Sequence, residues 1–376
     1  MALKALKAPK APTAPKGTPA DHGFSFPPEW FPHRGTLISW PRPEGISFPE
    51  RYHEAIEDIA GLVRVLVTRE EVHLNVPNAN YERIVRAFLG ARKVPLRRVR
   101  FHHLKTNECW ARDHGPAVLL RTRRGKTEAA IVDWGFNAWG GKYPPYDADD
   151  AVPTRIAEIL HLPVFYPGIV MEGGAVDFNG AGTVLTTTSC LLNKNRNPHL
   201  RQGSGGQALA KRRVETFLRD YYGQQHVVWL GDGIEGDDTD GHIDDLARFV
   251  DERTIAIGIE TNQRDPNYAI LQRARRTLDK ARDQDGRPFD ILELPMPNPV
   301  SYDGQRLPAT YLNFYFVNGA LLVPTFGQAT RDRQAIALLQ RHLPKREVIG
   351  VDCRALIWGL GAIHCFTQQI PKYQGA

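Results

Sequence analysis

One order of elements recurs along this 376-residue chain: helix, strand, polar cluster, hairpin. RYHEAIEDIAGLVRVLV spaces its apolar residues as a helix does (Ala55, Ile56, Ile59, Leu62, Val63, Leu66), and EVHLNVP then alternates Val72, Leu74 and Val76 as a strand does. NANYERIVRAFLGARKV and LRRVRFHHL repeat the pair. PTRIAEIL precedes PVFYPG, QALAKRRVETFLRDYYG precedes HVVWL, NYAILQRARRTLDKARDQDG precedes FDILELP, and RDRQAIALLQRHL precedes REVIGVD. A polar cluster follows, then usually a strongly β-type hairpin, with Asn179-Gly180 and Asn318-Gly319 as turn signals. Markers in the clusters, Asp113, Glu172, His242, Asn313 and Cys365, are separated by 59, 70, 71 and 52 residues. That near-period predicts an α/β chain of repeated units sharing one core, rather than two or three separate domains. Five like units around an axis would bring equivalent loops to one end, and the five clusters into one site.

Charge needs to be located before it is interpreted. The net charge of +6 resembles that of a nucleic-acid binder, but Lys4, Lys7, Lys10 and Lys16 put +4 of it in the first 20 residues, which hold no acid. Those residues belong to an Ala/Lys/Pro-rich tail, expected over 1–22, too poor in apolar surface to order itself. Residues 23–376 are expected to form a single catalytic domain. The tail lacks the apolar run of a secretory signal, and no stretch approaches the roughly 20 apolar residues of a membrane span. The expectation is therefore no membrane and no nucleic-acid partner. Cys109, Cys190, Cys353 and Cys365 form no paired spacing, which points to free thiols in a reducing, cytoplasmic compartment.

Several clusters could carry chemistry. Cys365 lies in GLGAIHCFTQQIP, read as a short β-like stretch in which His364 would point to the opposite face. Taken alone, it is more often a buried thiol than a nucleophile. His242 and Asp244, two apart on an extended segment, would face the same way. The surrounding loop, Gly231 to Asp245, holds seven acids: Asp232, Glu235, Asp237, Asp238, Asp240, Asp244 and Asp245. A calcium-loop pattern fails there, with Gly236 first and Ala247 twelfth, and one histidine is fewer than a zinc site usually has. Glu172 stands in VMEGGAV, an acid in an apolar run that needs a partner. Gly125-Lys126-Thr127 lacks the earlier glycine of a phosphate loop.

A thiolate ringed by acids is raised in pKa and hindered, unless the substrate itself brings positive charge. A guanidinium does so, matches carboxylates bidentately, and has an electrophilic central carbon. The constellation therefore reads as guanidine hydrolysis through a covalent cysteine adduct.

The motifs Trp110 to Pro116 (WxRDxGP), Trp134 to Gly141 (WGFNAWGG), Met171 to Gly174, Cys190 to Pro198 (CLLNKNRNP), DDTDGHIDD and GAIHCFTQQIP resemble the agmatine deiminase family, which includes bacterial peptidyl-arginine deiminases. The resemblance runs from Pro27 to Pro371. It implies the pentein fold of the guanidino-group-modifying superfamily, a five-bladed α/β propeller of pseudo-symmetric ββαβ-type units around one central site. It implies a hydrolase of linear amidines that makes N-carbamoylputrescine and ammonia from agmatine. Cys365 would be the nucleophile and His242 the acid/base. Asp113 and Asp244 would clamp the guanidinium, and Glu172 would bind it and orient His242. Trp110, Asn313 and Asp238 would line the substrate pocket, with the acidic loop receiving agmatine's far amine. No metal or cofactor is implied, and a homo-oligomer is compatible with the sequence. A peptidyl-arginine or other guanidine substrate is the alternative, as is a polyamine- or guanidine-binding protein without turnover. The chain departs from the family pattern at Asn107-Glu108-Cys109, at Leu360 and at Ala362.

Overall fold

The computed structural model describes residues 14–374. Five sheets carry the same topology. In each, an antiparallel pair is followed by a parallel partner reached through a helix. The pairs, with the third strand of each, are Ala117–Arg123/Lys126–Val132 with Val164–Phe165, Val176–Phe178/Thr183–Thr187 with His226–Leu230, Ala247–Phe249/Thr254–Ile259 with Asp290–Pro295, and Tyr315–Val317/Ala320–Thr325 with Glu347–Asp352. The remaining sheet joins the two ends of the chain. Gln368–Pro371 runs antiparallel to His33–Ser39, which pairs in parallel with Glu71–Val76, and that strand with Val99–His103. Among the described residues these sheets share no strand, and none closes on itself.

The helices form where the apolar spacing placed them. Tyr52–Arg69 buries Ile56, Ile59, Val63 and Leu66 along one face and ends where Glu70 turns extended. Ala79–Ala91 starts at Asn78, whose side chain accepts from the Tyr81 N–H, and Pro266–Lys280 starts with proline at its first position behind an Asp265 cap. Crossovers of this kind cover parallel strands on both faces, which explains the near-continuous burial of Val72–Val76. Asn318-Gly319 makes the predicted two-residue turn between Val317 and Ala320. Asn179-Gly180 instead opens a four-residue loop, because the Asn179 carboxamide accepts from Ala181 and Thr183 N–H.

A polar core ties the units together. The Arg248 guanidinium, fully buried, donates to Asp177, to Glu29 and to the Phe314 carbonyl. Glu29 also accepts from the Phe316 N–H. Residues 14–22, placed by the sequence in the tail, include a short 3-10 turn at Ala20–His22, and Ala14 packs against the cluster around Phe24 and Phe165. The rest of that predicted tail lies outside the described residues. Among the described residues, no helix is long and apolar enough to cross a membrane.

Candidate active site

Each marker residue sits at one structural position: a tight turn just ahead of the first strand of its sheet. Asp113 lies in the turn Ala111–His114, Glu172 precedes Gly173–Ala175, His242 precedes Ile243–Asp245, and Cys365 lies in Ile363–Phe366. Asn313 stands two residues before Tyr315. The segment around Cys365 is thus a helical turn, not the extended stretch expected, because Ala362 to Phe366 closes its own backbone bond. His242 is extended but Asp244 is in a 3-10 turn, so the two meet through turn geometry rather than strand alternation.

The turns bring side chains from all five of these sheets together. Cys365 Sγ accepts from Asn313 Nδ2 at 3.0 Å and lies 3.6 Å from Asp244 Oδ2. The same Asn313 amide group donates to Asp245 at 2.9 Å, while its carbonyl oxygen accepts from the His364 N–H at 2.9 Å. His364, expected on the face opposite the thiol, reaches the same Asp244 oxygen as Cys365 does. Its ring bridges Asp244 at 2.7 Å and Glu29 at 2.8 Å.

His242 is fully buried, with Nδ1 3.7 Å from Asp113 Oδ1 and 3.9 Å from Asp244 Oδ1. Asp113 accepts from the Gly174 N–H and the Trp139 indole N–H, both at 2.9 Å. A Cβ on Gly174 would stand 2.5 Å from His242 Nδ1 and 2.9 Å from Asp113 Oδ1, so this position must be glycine for the groups to meet. Glu172 Oε1 accepts from Arg196, while Oε2 and both His242 nitrogens have no hydrogen-bond partner.

Electrostatics follow from this crowding. Burial, then the charges of Asp244, Asp245 and Asp113, push the Cys365 thiol well above its ordinary range. Burial works against a charged His242, yet Asp113, Cys190 and Asp244 hold it well above the usual histidine value. Burial also acts to raise Asp244, but the bond and charge of His364 keep that carboxyl below its ordinary value. Asp245 is pushed far up by burial and by Asp244 and Asp237. A buried thiol, a histidine favoured in its charged form and several carboxylates therefore share the site.

A cavity of about 260 Å³ opens onto Cys365 and Asp113, walled by Trp110, Trp139, Phe48 and Trp358. Asp238 is at its rim, where its carboxylate accepts from Tyr143 and Lys142. Of the predicted residues, Trp110, Asp113, Asp238 and Cys365 line the cavity; Glu172, His242, Asp244 and Asn313 stand behind this lining. Much of the predicted acidic loop is engaged internally: Asp237 caps the His242 N–H and Thr239, and Asp240 pairs with Arg196 and Lys142. Sequence reasoning gave no site role to Asp245, Glu29, Trp139, Arg196 or Cys190, although it named Asp245 among the loop's acids and Cys190 among the thiols. Trp139 and Arg196 stand inside motifs already noted, WGFNAWGG and CLLNKNRNP, which were a usable signal. Glu29 is reached only through long-range packing and had none.

The Porphyromonas-type peptidyl-arginine deiminase family matches residues 25–371. The agmatine deiminase of Ectopseudomonas mendocina is 34% identical over 96% of this chain and 98% of its own. The solved agmatine deiminase of Enterococcus faecalis superposes with a TM-score of 0.86 at 31% identity, covering 96% of this chain and all of that one. A substrate-bound agmatine deiminase of C. jejuni gives 0.81 at 33% identity, covering 93% and 97%.

Proposed function

The chain belongs to the Porphyromonas-type peptidyl-arginine deiminase family, and on that premise we propose that it hydrolyses agmatine to N-carbamoylputrescine and ammonia. One observation carries the reading: a thiol, Cys365, and a carboxylate, Asp113, share a cavity backed by further buried acids. Such a site is electrostatically incomplete until a cation enters it.

In this reading Asp113 and Asp244 clamp the guanidinium, and Glu172 contributes charge behind His242. The arriving cation offsets the acids that hold the Cys365 proton, which leaves to solvent. The thiolate attacks the guanidinium carbon, forming the C–S bond. His242 gives its proton to the departing amine, and ammonia leaves with the C–N electron pair. The neutral His242 then takes a proton from water. Its oxygen adds to the same carbon, the C–S bond breaks, and the ureido product departs. Asn313 donates to the sulfur throughout, and Trp110 and Trp139 exclude water. Asp238 at the rim faces agmatine's far amine. No step calls on a metal or cofactor.

The five like sheets support a five-bladed propeller of ββαβ units, with the clusters at one end. We take residues 23–376 as that one catalytic domain. The four free thiols speak for a cytoplasmic enzyme. The charge held in residues 1–20 gives no reason to add a nucleic-acid partner.

The test is release of ammonia and ureido product from agmatine, free arginine and an arginine peptide. Agmatine should be preferred, and Cys365→Ser should abolish turnover of all three. Turnover of the peptide with agmatine inert would overturn the substrate assignment. Activity surviving in the serine variant would overturn the covalent route.

A further inference from the structure

Behind the cavity lies a second thiol that this chemistry does not use. Cys190 sits in the turn Thr188–Leu191, started by Thr187, whose hydroxyl accepts from the Cys190 N–H. It is fully buried, as are Glu172 and His242, and none of the three lines the cavity. A sulfur, a ring nitrogen and a carboxylate oxygen from these residues all lie within 4.8 Å of one another. The nitrogens of His242 and Oε2 of Glu172 are sealed from solvent with no hydrogen-bond partner. Buried polar atoms are rarely left in that state without a ligand or water.

The geometry points to an inhibitory site for a borderline-soft divalent cation of the zinc type, held by Glu172, Cys190 and His242. Thiolate, imidazole and carboxylate are the donors zinc selects. Zinc bonds of about 2.0–2.3 Å put tetrahedral ligand atoms roughly 3.5 Å apart, so the three side chains need close by only about 1 Å. The sequence suggested no such site, since the donors come from positions 172, 190 and 242 and show no metal-binding spacing. The exchange leaves the net charge of the site unchanged. The dication replaces one proton on the Cys190 thiol and one on the His242 imidazolium, and both leave to solvent. Asp113 and Asp244, 3.7 and 3.9 Å from the ring, then face a metal-bound imidazole rather than a protonated one. Arg196 stays on the other oxygen of Glu172.

Metal at His242 occupies the group that carries the proton to ammonia. The inhibition therefore rests on the proposed role of His242, whereas the binding does not. Cobalt(II), a spectroscopic substitute for zinc, separates the two. The full chain should take up one cobalt with a thiolate-to-metal charge-transfer band. The band should persist in Cys365→Ser and vanish in Cys190→Ser, a near-isosteric change that keeps the fold. Zinc should inhibit the wild type reversibly to chelation. Inhibition of Cys190→Ser, taken against its own metal-free rate, should need at least ~100-fold more zinc, because even residues around metal ligands are worth 10–100-fold. A band that survives in Cys190→Ser but is lost in Cys365→Ser would move the metal to Cys365 with Asp244 and Asp245, and overturn the site. Absence of any band would overturn it as well. Cobalt or zinc bound through Cys190 without inhibition would uphold the site and remove His242 from proton transfer.

Discussion

Gly174 does the most with the least. Its N–H donates to Asp113, and its missing side chain leaves room for His242, Asp113 and Asp244 to converge. Gly174→Ala should lower kcat/KM by ~100-fold or more, since a displacement of about 1 Å at reacting groups costs that much. Overpacking should reduce stability by about 1–3 kcal/mol. Steady-state kinetics and a thermal melt on the same preparation check both, and an alanine variant with unchanged kcat/KM would contradict the close approach. At this scale the site residues with unusual chemistry were legible: a thiol, a histidine and acids at repeated places. Their supports were not. Glu29 acts by burial beside a partner 335 residues away, and a local pattern carries no trace of that pairing. The departure at Asn107-Glu108 also finds its reason only in three dimensions. The Asn107 carboxamide accepts from Ala148 N–H at 2.8 Å, and Glu108 accepts from Ile46 N–H at 3.0 Å, which holds the loop that walls the cavity.

Long amphipathic helices and two-sided buried strands declared themselves, because their periodicity is set by burial along many residues. Single-turn elements did not. The turn that holds Cys365 is four residues long, too short for any period, and its conformation is set by the Asn313 carbonyl oxygen bonding the His364 and Cys365 N–H groups. Strand pairing also juxtaposes groups that sequence keeps apart. His73 and His102, on neighbouring parallel strands, share a 2.9 Å ring-to-ring hydrogen bond with stacked planes. Burial and then the charges of His102, Arg34 and Arg100 bring His73 down to about 3. Between that value and the ordinary one near 6.5, the unfolded chain binds a proton that the folded chain refuses. Stability should therefore fall as pH falls through this window. Between pH 7 and pH 5 the melting temperature should drop more for the wild type than for His73→Gln; equal drops would show that His73 takes up its proton as readily in the folded chain as in the unfolded one.

Across the whole molecule, the repeat was legible as a near-period, but the closure was not, since Gln368–Pro371 meets His33–Ser39 across almost the full chain. Ile370, fully buried in that pairing, packs beside Leu37 and Val118. Truncation after Thr367 should abolish agmatine turnover and lower the melting temperature, although every predicted catalytic side chain remains. Turnover in the truncated chain would show that Cys365 holds its place without the last strand. The same closure has a consequence during synthesis. A ribosome that has delivered four of the five sheets has made Asp113, Glu172 and Asp244 but not the proposed nucleophile, Cys365. On the proposed reading, the site is complete only when Cys365 and the strand behind it find a strand made near the start. On that reading, a polypeptide stalled or clipped short of Cys365 would keep Asp113, Glu172 and Asp244 but lack its nucleophile.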